Sequence, residues 1–213
     1  MSVEDLYHFK HVLTRDVAYN TILKSNKKIL HQLSAEIIEQ NFKHSIENFY
    51  YDLANHYDIA GDSKNTLKYL RLSSKRAKDL FDNQQAIKFY CRMLDLIDPN
   101  NHKEYIDIKL KISEIYNLIG EWDKCYQVLI NILSVAENNQ MSSEIVKVNS
   151  AIGEILYLKG ENKEAREILN NQIPLLKEDV HLETYYKVKG LLASIDIDEG
   201  NLDDALSSFN DKL

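Results

Sequence analysis

Glycine, proline and cysteine are all scarce in this chain of 213 residues, which holds six, two and two of them. Average usage of about 7% and 5% would give roughly 15 glycines and 11 prolines. The residues that punctuate strands and tight loops are therefore few, and long helices are the natural expectation. Cys91 and Cys125 stand 34 residues apart with no CxxC pair, which argues against a disulfide framework or a structural zinc site and suits a reducing compartment. No apolar run of about 18 residues occurs, and the start lacks a basic stretch followed by an apolar one. Neither a membrane span nor a secretory signal is expected, and the chain is read as cytoplasmic.

Phosphate-binding loops are lacking as well. No GxxxxGKS, GxxxxGKT or GxGxxG occurs, and glycines at 61, 120, 153, 160, 190 and 200 cannot build one. The chain is expected to bind no ATP by itself and to need no cofactor. Basic residues are the minority, 26 against 33 acidic for a net charge of −7, which argues against a broad nucleic-acid footprint. His8 and His11 could share a helix face, yet no Cys, Asp or Glu completes a familiar ligand set, so no metal site is expected. The basic run Lys24 to Lys28 is read as a solvated helix start.

What is present is a composition 44% hydrophobic and 28% charged, that of an ordinary globular chain, and a repeat. Gly120, Gly160 and Gly200 are 40 apart, in the contexts GEWDKC, GENKEA and GNLDDA, and Gly61 in GDSKNT looks the same. Each follows one amphipathic segment and precedes another, the pattern of helix hairpins with glycine as the left-handed residue just past a helix end. Seven residues before the glycines stand Ala54, Ser113, Gly153 and Ala193, and five after stand Thr66, Cys125, Ala165 and Ala205. Only small residues occupy these columns, as close approach of two antiparallel helices requires. Cys125 is thereby expected to be a buried, inert thiol, and no nucleophile-base pair is expected. Leu70, Leu129, Leu169 and Phe209 follow the second column by four; Tyr57, Tyr116, Leu156 and Asp196 precede the glycines by four, with Asp196 the poor fit.

With these columns the chain from about residue 47 resembles the tetratricopeptide repeat family, whose pattern places small, aromatic and large apolar residues at such positions. The resemblance implies an all-α fold, a right-handed α-α superhelix of antiparallel hairpins. The repeats are expected at about 47–80, 70–100 in a divergent form with DNQQ in place of the glycine turn, 106–140, 146–180 and 186–213. A spacing of 40 rather than 34 implies longer helices or linkers. Pro99 is expected to end the helix of the divergent repeat, and Pro174 to kink or start one.

Residues 1–45 do not follow the pattern. They read as a short lead-in, a helix from about His11 to Leu23, and a second from about Ser25 to Asn41 with Ser25 as N-cap. Phe9, His11, Leu13, Arg15, Asp16, Tyr19, Leu30, His31 and Ala35, followed by LANHYDIAGD, resemble the end of the winged-helix region in STAND-type AAA signalling ATPases, the kind linked to adenylate or guanylate cyclase domains. That resemblance implies a nucleotide-sensing role for His11 within a parent ATPase. Leu213 falls inside a helix of the last repeat with no polar cap after it, so the chain is expected to be a piece of a larger protein.

Repeats of this type offer a concave groove lined by the first helix of each hairpin. Its expected residues, by register with the family, are Asn48, Tyr51, Asn55 and Asp58, then Asp107, Glu114 and Asn117, then Lys147, Ser150, Glu154 and Tyr157. Tyr51 stands where repeats that clamp a chaperone's C-terminal carboxylate carry Lys, so no such clamp is expected. The reading is a non-catalytic interaction and regulatory module, its partner a protein or peptide or the ATPase and cyclase domains of its own parent; the alternative is a freestanding adaptor. No nucleic acid or membrane partner is expected.

Overall fold

A computed structural model describes residues 12–176, 178–203 and 205–206. Among them there is no strand, and ten helices follow one another: α1 (Val12–Thr21), α2 (Lys24–Asn41), α3 (Tyr50–Ala60), α4 (Ser63–Asp79), α5 (Asn83–Leu94), α6 (His102–Leu118), α7 (Trp122–Asn138), α8 (Ser142–Leu158), α9 (Asn162–Gln172) and α10 (Glu178–Asp198). The chain divides into two compact units, Met1–Phe89 and Tyr90–Leu213.

The turns show why the repeat is 40 residues long. Gly61, Gly120, Gly160 and Gly200 all have positive φ, and so do Phe81 and Gln140. At each, two backbone bonds close the preceding helix: Gly120 N–H reaches Asn117 O and Glu121 N–H reaches Tyr116 O, and likewise Phe81 to Lys78 and Asp82 to Ala77. These are Schellman closures. Left-handed residues stand 20 apart at 61 and 81 and at 120, 140 and 160, with 40 from 160 to 200, and the repeats of α6–α7 and α8–α9 are each two helices of up to 17 residues with short turns. The extra length over a 34-residue repeat lies in the helices, about one turn.

Several local boundaries differ from the sequence expectation. The helix expected from His11 to Leu23 ends at Thr21, its expected start lying outside the described residues, and its successor starts at Lys24, with Leu23 rather than Ser25 in the capping position. Leu23 carries the extended backbone that breaks the chain there, and its carbonyl accepts from Lys27 N–H at 2.9 Å. The left-handed residue of the divergent turn is Phe81, just ahead of DNQQ, and Asp82 then accepts from Gln85 N–H at 3.1 Å to start α5. The helix before Pro99 ends at Leu94; Pro99 sits in the turn closed by Asn101 N–H to Asp98 O at 2.8 Å. Asn101 next caps α6 through Glu104 N–H. Pro174 belongs to a 3-10 turn, Ile173–Leu175, that follows α9.

In the first unit α2 packs on α3 and α3 on α4. Glu39 of α2 holds the three together, accepting hydrogen bonds from the Tyr57 and Tyr69 hydroxyls and an ion pair from Lys68 at 3.4 Å. The rings of Tyr57 and Tyr69 are stacked, 5.7 Å apart. Burial raises the Glu39 carboxyl, but the tyrosine hydrogen bonds and Lys68 outweigh it and hold it below the ordinary range.

A second cross-helix chain runs from Tyr19 Oη to His31 Nε2 at 2.8 Å and from His31 Nδ1 to His56 Nδ1 at 2.8 Å. Two facing ring nitrogens can share only one proton, so the contact needs at least one neutral imidazole. Burial depresses both histidines below 6.5; His56 and Lys27 depress His31 further, and Asp52 partly offsets the shift at His56. The folded unit binds fewer protons than the unfolded chain just below pH 6.5, so its stability is complete above that pH and declines as pH falls through it. The urea midpoint of α2–α3 unfolding is expected to drop between about pH 7 and 5.5, and His56→Gln to flatten the drop. An equal pH slope in that variant would refute the assignment.

In the second unit α6 and α7, α7 and α8, and α8 and α9 pack pairwise, and α10 lies against α8 and α9. Ile106, Leu129, Ile132, Ile155, Leu169 and Ile195 form its fully buried centre. All eight small-column residues of the chain are buried. At Gly153 there is no room for a side chain: a Cβ there would lie 2.6 Å from Cγ and Cδ2 of Leu169. Asp196, the misfit of its column, is buried in a polar pairing with Arg166 Nη1 at 2.6 Å.

Candidate functional site

The second unit carries a groove of about 760 Å³ whose walls are α6, α8 and α10. Its floor is apolar and small, with Leu110, Ala151, Ile155 and the edge of Cys125, because the small columns draw the helices close there. Four carboxylates, Asp107, Glu114, Glu154 and Glu183, and three ammonium groups, Lys111, Lys147 and Lys187, ring it.

The charges are largely spoken for. Lys111 donates to Glu114 at 2.7 Å. Lys187 meets the other wall, Glu154, at 2.6 Å, and Asn117 Nδ2 donates to Glu154 Oε1 at 3.3 Å. Burial pulls the Lys111 ammonium down, but the hydrogen bond to and charge of Glu114 outweigh it and hold it above its ordinary value. Cys125 donates to Ser113 O at 3.2 Å, and burial, helped by the Glu154 charge, pushes its thiol up to about 11. It is a protonated packing group at neutral pH. No histidine lines the groove, and no cluster of three metal-ligating side chains occurs among the described residues. The groove can hold a chain that offers both signs of charge around an apolar contact; it offers no activated nucleophile.

Six of the residues expected from the register line this groove: Asp107, Glu114, Asn117, Lys147, Ser150 and Glu154. Ser150 is buried and turns its hydroxyl back to Val146 O at 2.8 Å, so it shapes the floor. Tyr157 is not in the lining; burial and a hydrogen bond to Asp198 raise its hydroxyl pKa. The remaining four belong to the first unit. Asn48 accepts from Arg76 at 2.8 Å, Tyr51 is exposed with its ring 5.7 Å from that of Phe89, Asn55 is exposed and Asp58 half-buried on α3. His11 lies outside the described residues. Lys111, Glu183 and Lys187 were not among the expected groove residues. A signal existed for Lys187, which stands 40 residues after Lys147 and 80 after Asp107.

No family model matches the sequence, and no curated protein does. Solved structures do match. BtubC (BKLC) from P. vanneervenii aligns with a TM-score of 0.57 at 11% identity, over 89% of this chain and 89% of its own. MamA, from residue 41 to its end, of Desulfovibrio magneticus RS-1 aligns with a TM-score of 0.55 at 14% identity, over 89% of this chain and 94% of its own. A double mutant of MamA from RS-1 gives the same TM-score at 15% identity, over 88% and 93%. Identities this low speak for the fold alone. With its small-residue hairpins and left-handed helix closures, the chain has the fold of the tetratricopeptide-like helical repeat solenoids.

Proposed function

We propose that the chain is a non-catalytic protein-interaction module that captures a peptide or helix of a protein partner in the α6–α8–α10 groove. The observation that carries this is the groove itself: about 760 Å³, open to a chain, apolar at the floor and rimmed by fixed ion pairs. Such pairs orient a ligand and reject mismatched charge more than they add affinity. The test is selection of binders from a random peptide library displayed against the whole chain. Lys147→Trp, at an exposed lining position, fills the groove and is expected to weaken selected peptides by about tenfold or more, with the helical signal unchanged. Equal binding to the filled variant would refute the assignment.

The finer reading is that the module regulates a larger signalling ATPase of the cyclase-linked kind, shifting it between states by binding one of them better. The support is the pattern at residues 9–35 followed by LANHYDIAGD. An immunoblot of native extract decides it by apparent mass. A band of roughly 100 kDa or more fits a multidomain parent, whereas a band near the 24.8 kDa of this chain means a freestanding adaptor.

A further inference from the structure

Helix α4 carries Lys64, Lys68, Arg71, Lys75 and Lys78, spaced four, three, four and three residues apart. At 100° per residue these fall within one narrow sector, a line of cations about 21 Å long. The opposite face, Thr66, Tyr69, Leu70, Ser73, Ser74 and Ala77, is buried, so the line looks outward; Lys64, Lys68, Arg71 and Lys75 are exposed and Lys78 is half-buried. Lys68 shares Glu39 at 3.4 Å, and Arg71 and Lys78 also have interactions of their own.

A second, independent oddity lies at the end of this line. Leu80 and Phe81 are 67% and 80% exposed, and Phe81 has a φ of 59°. A bulky aromatic in the left-handed region is a backbone outlier; among the described residues, four of the other five left-handed turn positions are glycine and the fifth is Gln140, a flexible polar residue. Burial does not account for keeping phenylalanine there.

We infer that the α4 stripe with its Leu80–Phe81 tip is a docking surface for an acidic helical segment of another protein, one with carboxylates at the same four-three spacing and an apolar anchor at one end. The spacing of the cations is the spacing of side chains along one face of a helix, which a partner helix reproduces residue for residue. A long polyanion such as RNA meets a chain of net charge −7 beyond the stripe. An anionic membrane would need an apolar face along the helix, and that face of α4 is buried in the unit. Exposed aromatic anchors beside charges are what protein interfaces use.

The test is fluorescence anisotropy of the whole chain with a synthetic helical peptide of about 18 residues, glutamates in four-three spacing and two leucines at one end. Binding is expected to be at least about tenfold tighter than to a scrambled peptide of equal composition, and to weaken between about 50 and 200 mM salt. Lys64→Glu with Lys75→Glu should cost about tenfold or more. Phe81→Gly should weaken binding about fivefold while leaving the melting temperature the same or higher, a combination that a purely structural role for Phe81 does not produce. Equal binding of the scrambled peptide, unchanged affinity in either variant, or tighter binding of oligouridine or of phosphatidylserine vesicles than of the peptide would overturn the inference.

Discussion

Gly153→Val is expected to destabilise the second unit by about 3 kcal/mol, seen as a shift of its urea midpoint. Two effects oppose each other at this position. A glycine in mid-helix costs roughly 1 kcal/mol against alanine, so any side chain gains some helix propensity. Against that, a Cβ would stand 2.6 Å from Leu169 Cγ and Cδ2. Leu169 is 0% exposed and has nowhere to retreat, so the clash must spread into the α8–α9 spacing. The clash wins. Leu169→Ala alone should cost about 2–5 kcal/mol by leaving a cavity. The double variant Gly153→Val/Leu169→Ala should lose less than the two singles added, by about 1 kcal/mol or more. Strict additivity would show that the two side chains do not compete for the same space.

Arg166→Met is the second large effect, about 3 kcal/mol of lost stability. Asp196 has a side chain only 8% exposed, and Arg166 supplies its 2.6 Å partner while also reaching Glu199 at 2.6 Å. Removing the guanidinium strands a carboxylate among apolar neighbours, which costs more than the pair contributed. The companion variant Arg166→Met/Asp196→Leu tests the reason. Tyr57, Tyr116 and Leu156 hold the matching positions of the other hairpins, so an apolar residue fits, and the double variant should return to near wild-type stability. If it stays as weak as Arg166→Met, the loss comes from Arg166's own packing.

Much of this fold is legible in the sequence because the constraints are local and periodic. A left-handed turn residue is cheapest as glycine, and helix crossings admit only small side chains, so Gly61, Gly120, Gly160, Gly200 and the columns around them stand out. Phe81 and Gln140 do the same backbone work invisibly, since the Schellman bonds need a conformation rather than a residue type. Leu94, where α5 ends well before Pro99, shows that proline marks where a helix cannot continue and not where it stops. The oddity of Asp196 is legible but its resolution is not, because Arg166 lies 30 residues away. The Tyr19–His31–His56 chain is hidden for the same reason. Groove residues Asp107 and Lys147 follow from register alone, and one more step of 40 in the same register reaches Lys187, which the expected set omits. The α4 stripe was in plain sight, yet reading basic residues as adjacent runs favours Lys24 to Lys28; counting at helical period singles out Lys64 to Lys78.

Left-handed residues spaced by 20 or about 40 positions make this chain grow in discrete steps. One step adds a helix of roughly 25 Å and reverses the direction in which the backbone travels. Two steps restore that direction and place the next small-residue column over the last. Duplicating or excising 40 residues therefore leaves every remaining helix facing a suitable neighbour, whereas a 20-residue change swaps inner for outer helices from that point to the C-terminal end. Lengthening by hairpins is tolerated, and the number of helices keeps its parity, a rule of inheritance written into the turns.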